Sequence, residues 1–181
     1  MIDYQIGTKV LGVWEIIRLI GEGSYGKVFE LKKNSFGVGS KAALYIDEGR
    51  AVACNIGDSR IYMMRSGMLQ QISKDHTIVQ QMVDSGAITK EEARTHKRRH
   101  ILSQNIGIFP DELIIEPHFA EPIELKEGDV FPLCSDGLTD MVSDDAIRTI
   151  LANNEDAEGL VAAALENGGR DNVTVIVIKV N

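Results

Sequence analysis

Apolar residues recur in two rhythms along this 181-residue chain. From Lys41 the rhythm is short. Ala42–Ile46, Ala51–Ile56, Ser59–Met64 and Met68–Ile72 are separated by Asp47-Glu48-Gly49, Gly57-Asp58 and Ser66-Gly67. Strand-length runs broken by Asp and Gly turns predict a succession of antiparallel strands. The spacing then lengthens. Ile78, Val79, Met82 and Val83 follow a helical period up to Gly86, where a helix stops. Thr89 and Glu92 form the capping-box pattern of a second short helix, Lys90–Thr95. Leu113–Phe119 and Pro122–Leu125 read as loop and edge strand, because Pro110, Pro117 and Pro122 oppose helix.

The C-terminal third repeats both rhythms. Val130, Phe131, Leu133 and Cys134 make a buried strand that ends abruptly at Ser135-Asp136-Gly137. Ser143 caps a helix over Asp144–Ala152, with acids in the first turn as the helix dipole prefers. Ala157–Asn167 is amphipathic through Leu160, Val161, Ala164 and Leu165. Gly168–Asn172 then turns into Val173–Val180, a strand apolar on both faces and so expected to be central and covered on both sides. The expected class is α+β, an antiparallel sandwich flanked by helices.

The N-terminal stretch differs. Val13, Ile16, Ile17, Leu19 and Ile20 lead into Gly21, Gly23 and Gly26, spelling G-x-G-x-x-G, with Val28 two residues later. Glycines let a backbone approach phosphates closely. A dinucleotide fold needs a helix next, but Lys27–Lys33 has no helical apolar face and reads as the second strand of a hairpin.

Composition narrows the classes. The apolar share of 44% and charged share of 25% fit a soluble globular domain. A formal net charge of −8 makes nucleic acid an unfavoured partner. No apolar run reaches membrane-span length, and Met1-Ile2-Asp3-Tyr4 does not open a secretory signal, so the expected location is cytoplasmic, with no membrane partner. Cys54 and Cys134 lie in apolar runs and read as reduced core residues. His96 and His100 flank Lys97-Arg98-Arg99 without zinc spacing; that basic run reads first as a solvated face, the alternative being contact with a phosphorylated partner.

Carboxylates carry the candidate chemistry. Asp136 ends a buried strand, and Asp140 follows it by one helical turn, so both can reach one side. Asp171 stands at the entrance of the last strand, and Asp58 sits in a tight turn. Close carboxylates repel unless they share a proton or a cation, and hard divalent ions such as Mg²⁺ and Mn²⁺ take such oxygens. The plainer alternatives are that Asp136 caps a helical turn and Asp58 makes a turn.

Two resemblances follow from these residues. WEIIRLIGEGSYGKVFE resembles the glycine-rich loop of eukaryotic-type protein kinases. That resemblance implies nucleotide contact at Gly21, Gly23, Gly26 and Val28. It stops near Tyr45, which stands where the kinase strand carries its lysine; no H-R-D or D-F-G follows. From about Tyr45 onward, NIGDSRIY, KDHTIVQQMVDSGAI, HKRRHILSQNIG, LCSDGLTD and GGRDNVTVIV, in that order, resemble the PPM-type (protein phosphatase 2C) metal-dependent serine/threonine phosphatases. This second resemblance implies that Asp136 and Asp171 belong to a dinuclear Mn²⁺ or Mg²⁺ centre. It implies a third metal on Asp58, Asp140 and Asp136, and a flap over Asp75–Gly107. The implied reaction is hydrolysis of a phosphoserine or phosphothreonine ester, water attacking in line while metal ions neutralise the phosphoryl oxygens. The family's Asp-Gly-His-Gly-Gly run and its phosphate-binding arginine are not found in the sequence. The expected layout is a kinase-like hairpin over Met1–Ala43 and the C-terminal part of a phosphatase domain over Leu44–Asn181. The expected function is a weakened phosphatase acting on a phosphoprotein, with weak metal binding. The alternatives are a non-catalytic phosphatase-like binding module and a recombined kinase–phosphatase fragment. A protein kinase is the other candidate partner.

Overall fold

The computed structural model describes residues 39–106, 115–153 and 156–181 in full, together with the backbone of the strands within 9–33. Those early strands are β1 (Lys9–Val10), β2 (Trp14–Gly23) and β3 (Gly26–Lys33), an antiparallel set in the order β1-β2-β3. The expected hairpin is present: Gly21 pairs with Val28, and Gly23 with Gly26. The tip between them and all side chains of the stretch lie outside the described residues.

Seven further strands and four helices appear close to where the apolar spacing puts them. They are β4 (Lys41–Asp47), β5 (Arg50–Ile56), β6 (Arg60–Arg65), β7 (Met68–Gln71), α1 (Ile78–Asp84), α2 (Lys90–Thr95), β8 (His118–Phe119), β9 (Ile123–Glu124), β10 (Val130–Cys134), a one-turn α3 (Asp136–Thr139) and α4 (Asp144–Ala152). The chain closes with α5 (Ala157–Glu166) and β11 (Val175–Lys179). The capping box on α2 forms as expected: Thr89 Oγ1 accepts from the Glu92 N–H, and Glu92 accepts from the Thr89 N–H. Residues 107–114, which hold Pro110 and the start of the expected loop from Leu113, lie outside the described residues.

Two sheets stack, and a helical layer covers one of them. The first runs β4-β5-β8, with β9 also on β5, and the second β11-β10-β6-β7. Alternation along the second sheet decides which layer each side chain enters. Ile61, Phe131 and Leu133 face Leu44, Ile46, Ala51 and Ala53 of the first sheet. Tyr62, Met64, Cys134 and Val175 turn the other way, onto Leu138, Val142, Ile147, Leu151, Leu160 and Ala164 of the helices. Pro132 sits inside β10 although proline donates no ladder hydrogen bond. The β10–β6 register is constant from Val130↔Met64 to Leu133↔Ile61 and Cys134↔Arg60, with Pro132 unpaired on that side.

One expectation needs correcting. β11 is covered on both faces, Val177 packing toward the helices and Ile176 toward the first sheet. It is nevertheless an edge strand, paired only with β10 among the described residues. A doubly apolar strand reports two covered faces, which an edge position also allows when layers lie on either side. No helix among the described residues is long and apolar enough to cross a membrane.

Candidate metal centre

The candidate aspartates gather at one end of the second sheet. Cys134, the last residue of β10, stands opposite Arg60 on one side and Val175 on the other. Asp136 leaves that end forward, Asp58 precedes it by two residues in β6's direction, and Asp171 approaches it just before β11.

Backbone contacts hold the Asp136 and Asp171 loops together. The Ser135 N–H donates to the Thr174 carbonyl at 3.0 Å, and the Thr174 N–H returns a 3.0 Å bond to Ser135 Oγ. Ser135 Oγ in turn donates to the Asn172 carbonyl at 3.3 Å. Gly137 is required at this contact, because a Cβ there would collide with the Asn172 carbonyl oxygen. Asp136 is the first residue of α3 and its Oδ1 accepts from the Gly137 N–H at 3.0 Å; Asp171 Oδ1 accepts from the Asn172 N–H at 2.7 Å. The N-cap position of α3 is Ser135, whose side chain makes no cap bond, and Asp136 lies inside the first turn.

Asp58 is seated differently. Ser40 Oγ donates to its Oδ1 at 2.7 Å and accepts from its N–H at 3.1 Å. Gly57 at φ +90° makes the turn, and a side chain there would run into Ser40. Burial pushes the Asp58 carboxyl above its ordinary value, against the Ser40 hydrogen bond that lowers it. Burial of this kind favours a partner cation or proton.

Asp140 follows Asp136 by one turn, its N–H bonded to the Asp136 carbonyl at 2.8 Å. Its carboxylate is approached by Arg99 Nε at 3.6 Å and His100 Nδ1 at 3.5 Å. The basic run therefore folds back onto the acidic rim. The sequence carries no local sign of this, because the two stretches lie some forty residues apart. The segment that begins at Asp75 is anchored at its root. Arg60 clasps Asp75 through Nε at 2.9 Å and Nη2 at 2.7 Å, and Asn55 bonds both the N–H and the carbonyl of Lys74. Burial opposes the Arg60 charge, but Asp75 and Tyr62 more than restore it and raise its pKa. Ser40, Ser135, Arg60 and Asp75 were not singled out in the sequence; a hydroxyl or ion pair that positions a ligand leaves no spacing pattern of its own. A small cleft adjoins this end between the sheets, lined by Ser40, Lys41, Ser59, Ser135 and Thr174 among others.

The donor chemistry is right for a hard divalent cation, all carboxylate oxygen. Among the described residues, however, no three His, Cys, Asp or Glu side chains converge closely enough to hold an ion. The four aspartates share a region without closing a coordination sphere.

Known proteins locate this architecture. The crystal structure of the Mycobacterium tuberculosis serine/threonine phosphatase PstP superposes with a TM-score of 0.70 at 38% identity, covering 87% of this chain and 62% of that one. This is the PPM phosphatase fold. A second PstP structure, of the catalytic domain in complex with two manganese ions, matches with a TM-score of 0.65 and covers 86% of this chain and 60% of that one. By sequence, PstP is 38% identical over 186 residues, 98% of this chain and 34% of PstP. Streptococcus pneumoniae protein phosphatase PhpP is 39% identical over 142 residues, 76% of this chain and 56% of PhpP. No family model matches. The chain is thus homologous to PPM-type serine/threonine phosphatases, and it spans between about a third and three fifths of the curated relatives it matches.

Proposed function

We propose that this chain is the C-terminal part of a metal-dependent PPM-type phosphoprotein phosphatase, hydrolysing phosphoserine or phosphothreonine, and that the chain alone is a weak catalyst. Asp136 and Asp171 would hold Mn²⁺ or Mg²⁺, with Asp58 and Asp140 on a further ion. The observation that carries the reading is the bonding of the Ser135 N–H and hydroxyl to Asn172 and Thr174, with Gly137 close against the Asn172 carbonyl, which keeps the two loops bearing Asp136 and Asp171 side by side. When bound, such ions supply charge neutralisation at phosphoryl oxygens and lower the pKa of water. The chain's own residues orient the carboxylates. Ser40 fixes Asp58, and Gly137 allows the approach of the Asn172 loop.

Weak catalysis is expected because the bridging Asp of the Asp-Gly-His-Gly-Gly run and the phosphate-binding arginine are not found in the sequence. Ligand number sets affinity, so Mn²⁺ is expected to bind at about 10⁻⁴ M. Loss of ordered phosphate and metal ligands costs roughly 10³-fold or more in rate. The reading takes Met1–Ala43 as a kinase-like hairpin fragment preceding the phosphatase part. A second reading, a phosphatase-like binding module without turnover, is favoured by the Arg99 and His100 contacts on Asp140.

Calorimetric Mn²⁺ titration and phosphopeptide hydrolysis of the chain, Asp136→Asn and Asp171→Asn decide between the readings. Weak Mn²⁺ binding lost in both variants, with slow Mn²⁺-dependent hydrolysis lost alongside it, supports the phosphatase. Binding unchanged by either substitution overturns the site. Metal binding without any hydrolysis favours the binding module.

A further inference from the structure

The flap brings a block of positive charge to an acidic rim. Lys97 and Arg98 occupy the turn directly before the two residues that reach Asp140. Backbone bonds set that turn: the Arg99 N–H donates to the His96 carbonyl at 3.0 Å, and the Ile101 N–H to the Arg98 carbonyl at 3.1 Å. The Arg98 N–H also donates to His96 Nδ1 at 3.1 Å. Arg99 and His100 thus turn inward to Asp140, and Arg94 approaches Asp144 at 3.7 Å, while Lys97 and Arg98 stand exposed. Their cations make no ion pair among the described residues.

The electrostatic setting makes this placement consequential. The chain as a whole carries −8, and the basic segment meets two carboxylates, Asp140 through Arg99 and His100 and Asp144 through Arg94. An anionic peptide approaching such a rim meets repulsion unless cations offset it, and complementary charge at a rim governs encounter and selectivity. Here Arg99 and His100 are held on Asp140, and the same turn leaves Lys97 and Arg98 exposed beside them.

We propose that Lys97 and Arg98 form a docking surface that selects phosphopeptides carrying Asp or Glu beside the phosphorylated residue. The inference rests on the phosphatase reading, and it names the substrate class for that site. Lys97 and Arg98 bind peptide carboxylates; Arg99 and His100 position the turn by holding it on Asp140.

The test is binding rather than turnover, so it stands apart from the question of hydrolysis. Fluorescence anisotropy of the full chain with Mn²⁺ compares three labelled phosphothreonine peptides of equal length, with acidic, neutral and basic flanks, and the acidic peptide without phosphate. The acidic phosphopeptide is expected to bind about tenfold more tightly than the basic one, the preference shrinking as salt is raised. Lys97→Glu with Arg98→Glu is expected to invert the order, while Lys97→Arg with Arg98→Lys retains it. An unchanged order in the charge-reversed chain overturns the docking surface, as does tighter binding of a single-stranded oligonucleotide than of the acidic phosphopeptide. If the acidic phosphopeptide binds no better than the acidic peptide without phosphate, the phosphatase reading fails with it; if phosphate matters and flanking charge does not, only this inference fails.

Discussion

Gly137 shows how one residue can decide a site. Its lack of a side chain is what lets the Asp136 turn lie against the Asn172 carbonyl, and the Ser135 hydroxyl then links the two loops. In the sequence Gly137 reads as an ordinary turn residue after a strand, and the same letters would serve a turn with nothing behind it. Adding a methyl group forces backbone against backbone, which has no flexible end to yield. Gly137→Ala is therefore expected to cost about 1–3 kcal/mol, the range for inserting a carbon into a packed contact. Urea unfolding followed by circular dichroism measures it. Gly128→Ala makes a useful contrast, since it meets no atom within 4 Å and carries only the strain of its positive φ. If Gly137→Ala and Gly128→Ala shift the midpoint equally, close approach is not what the glycine at 137 provides.

At the level of elements, the local signals translated well wherever the physics is local. The capping box of α2 and the Ser143 cap of α4 appear with the partners their spacing implies, Thr89 with Glu92 and Ser143 with the Ala146 N–H. Alternation in β6 and β10 sorted side chains into two cores, because period two is a property of the strand itself. Strand order was not legible: β11 carries the apolar signature of a central strand and lies at an edge, since layer packing, not ladder position, covers its faces. The flap's attachment was equally hidden. Asp75, its carboxylate 7% exposed, receives Arg60 and Gln71 Nε2 from two neighbouring strands, and no spacing rule links those residues. Removing one charge of a buried pair leaves the other uncompensated, which costs about 3 kcal/mol. Asp75→Asn is thus expected to loosen the segment it roots. Amide exchange by mass spectrometry should show faster exchange in α1 and α2 than in β10 of the same variant. Uniform acceleration across all three would mean that the ion pair supports the whole fold and not the flap.

On the scale of the whole molecule, Cys134 reports whether the layers come apart together. It ends β10, and it packs with Leu138 and Val142 under the helices that cover the second sheet. The four candidate aspartates lie around the end of this same strand, so the integrity of that interface is a condition for the site. Burial pushes the Cys134 thiol up to about 12. A thiol raised on folding contributes stability that is complete below its unfolded value near 9 and is lost as pH rises toward 12. At pH 8 the folded thiol is therefore protonated and covered, and only opening exposes a reactive thiolate. A Cys54→Ser chain, keeping Cys134 as its one thiol, should react with a disulfide reagent at a rate set by opening. If sheets and helices form one cooperative unit, that rate rises with urea along the same slope as global unfolding. If labelling is instead fast and nearly independent of urea, the α3–α5 layer separates from the sheet without unfolding it. The loops bearing Asp136 and Asp171 would then be held by their backbone bonds alone.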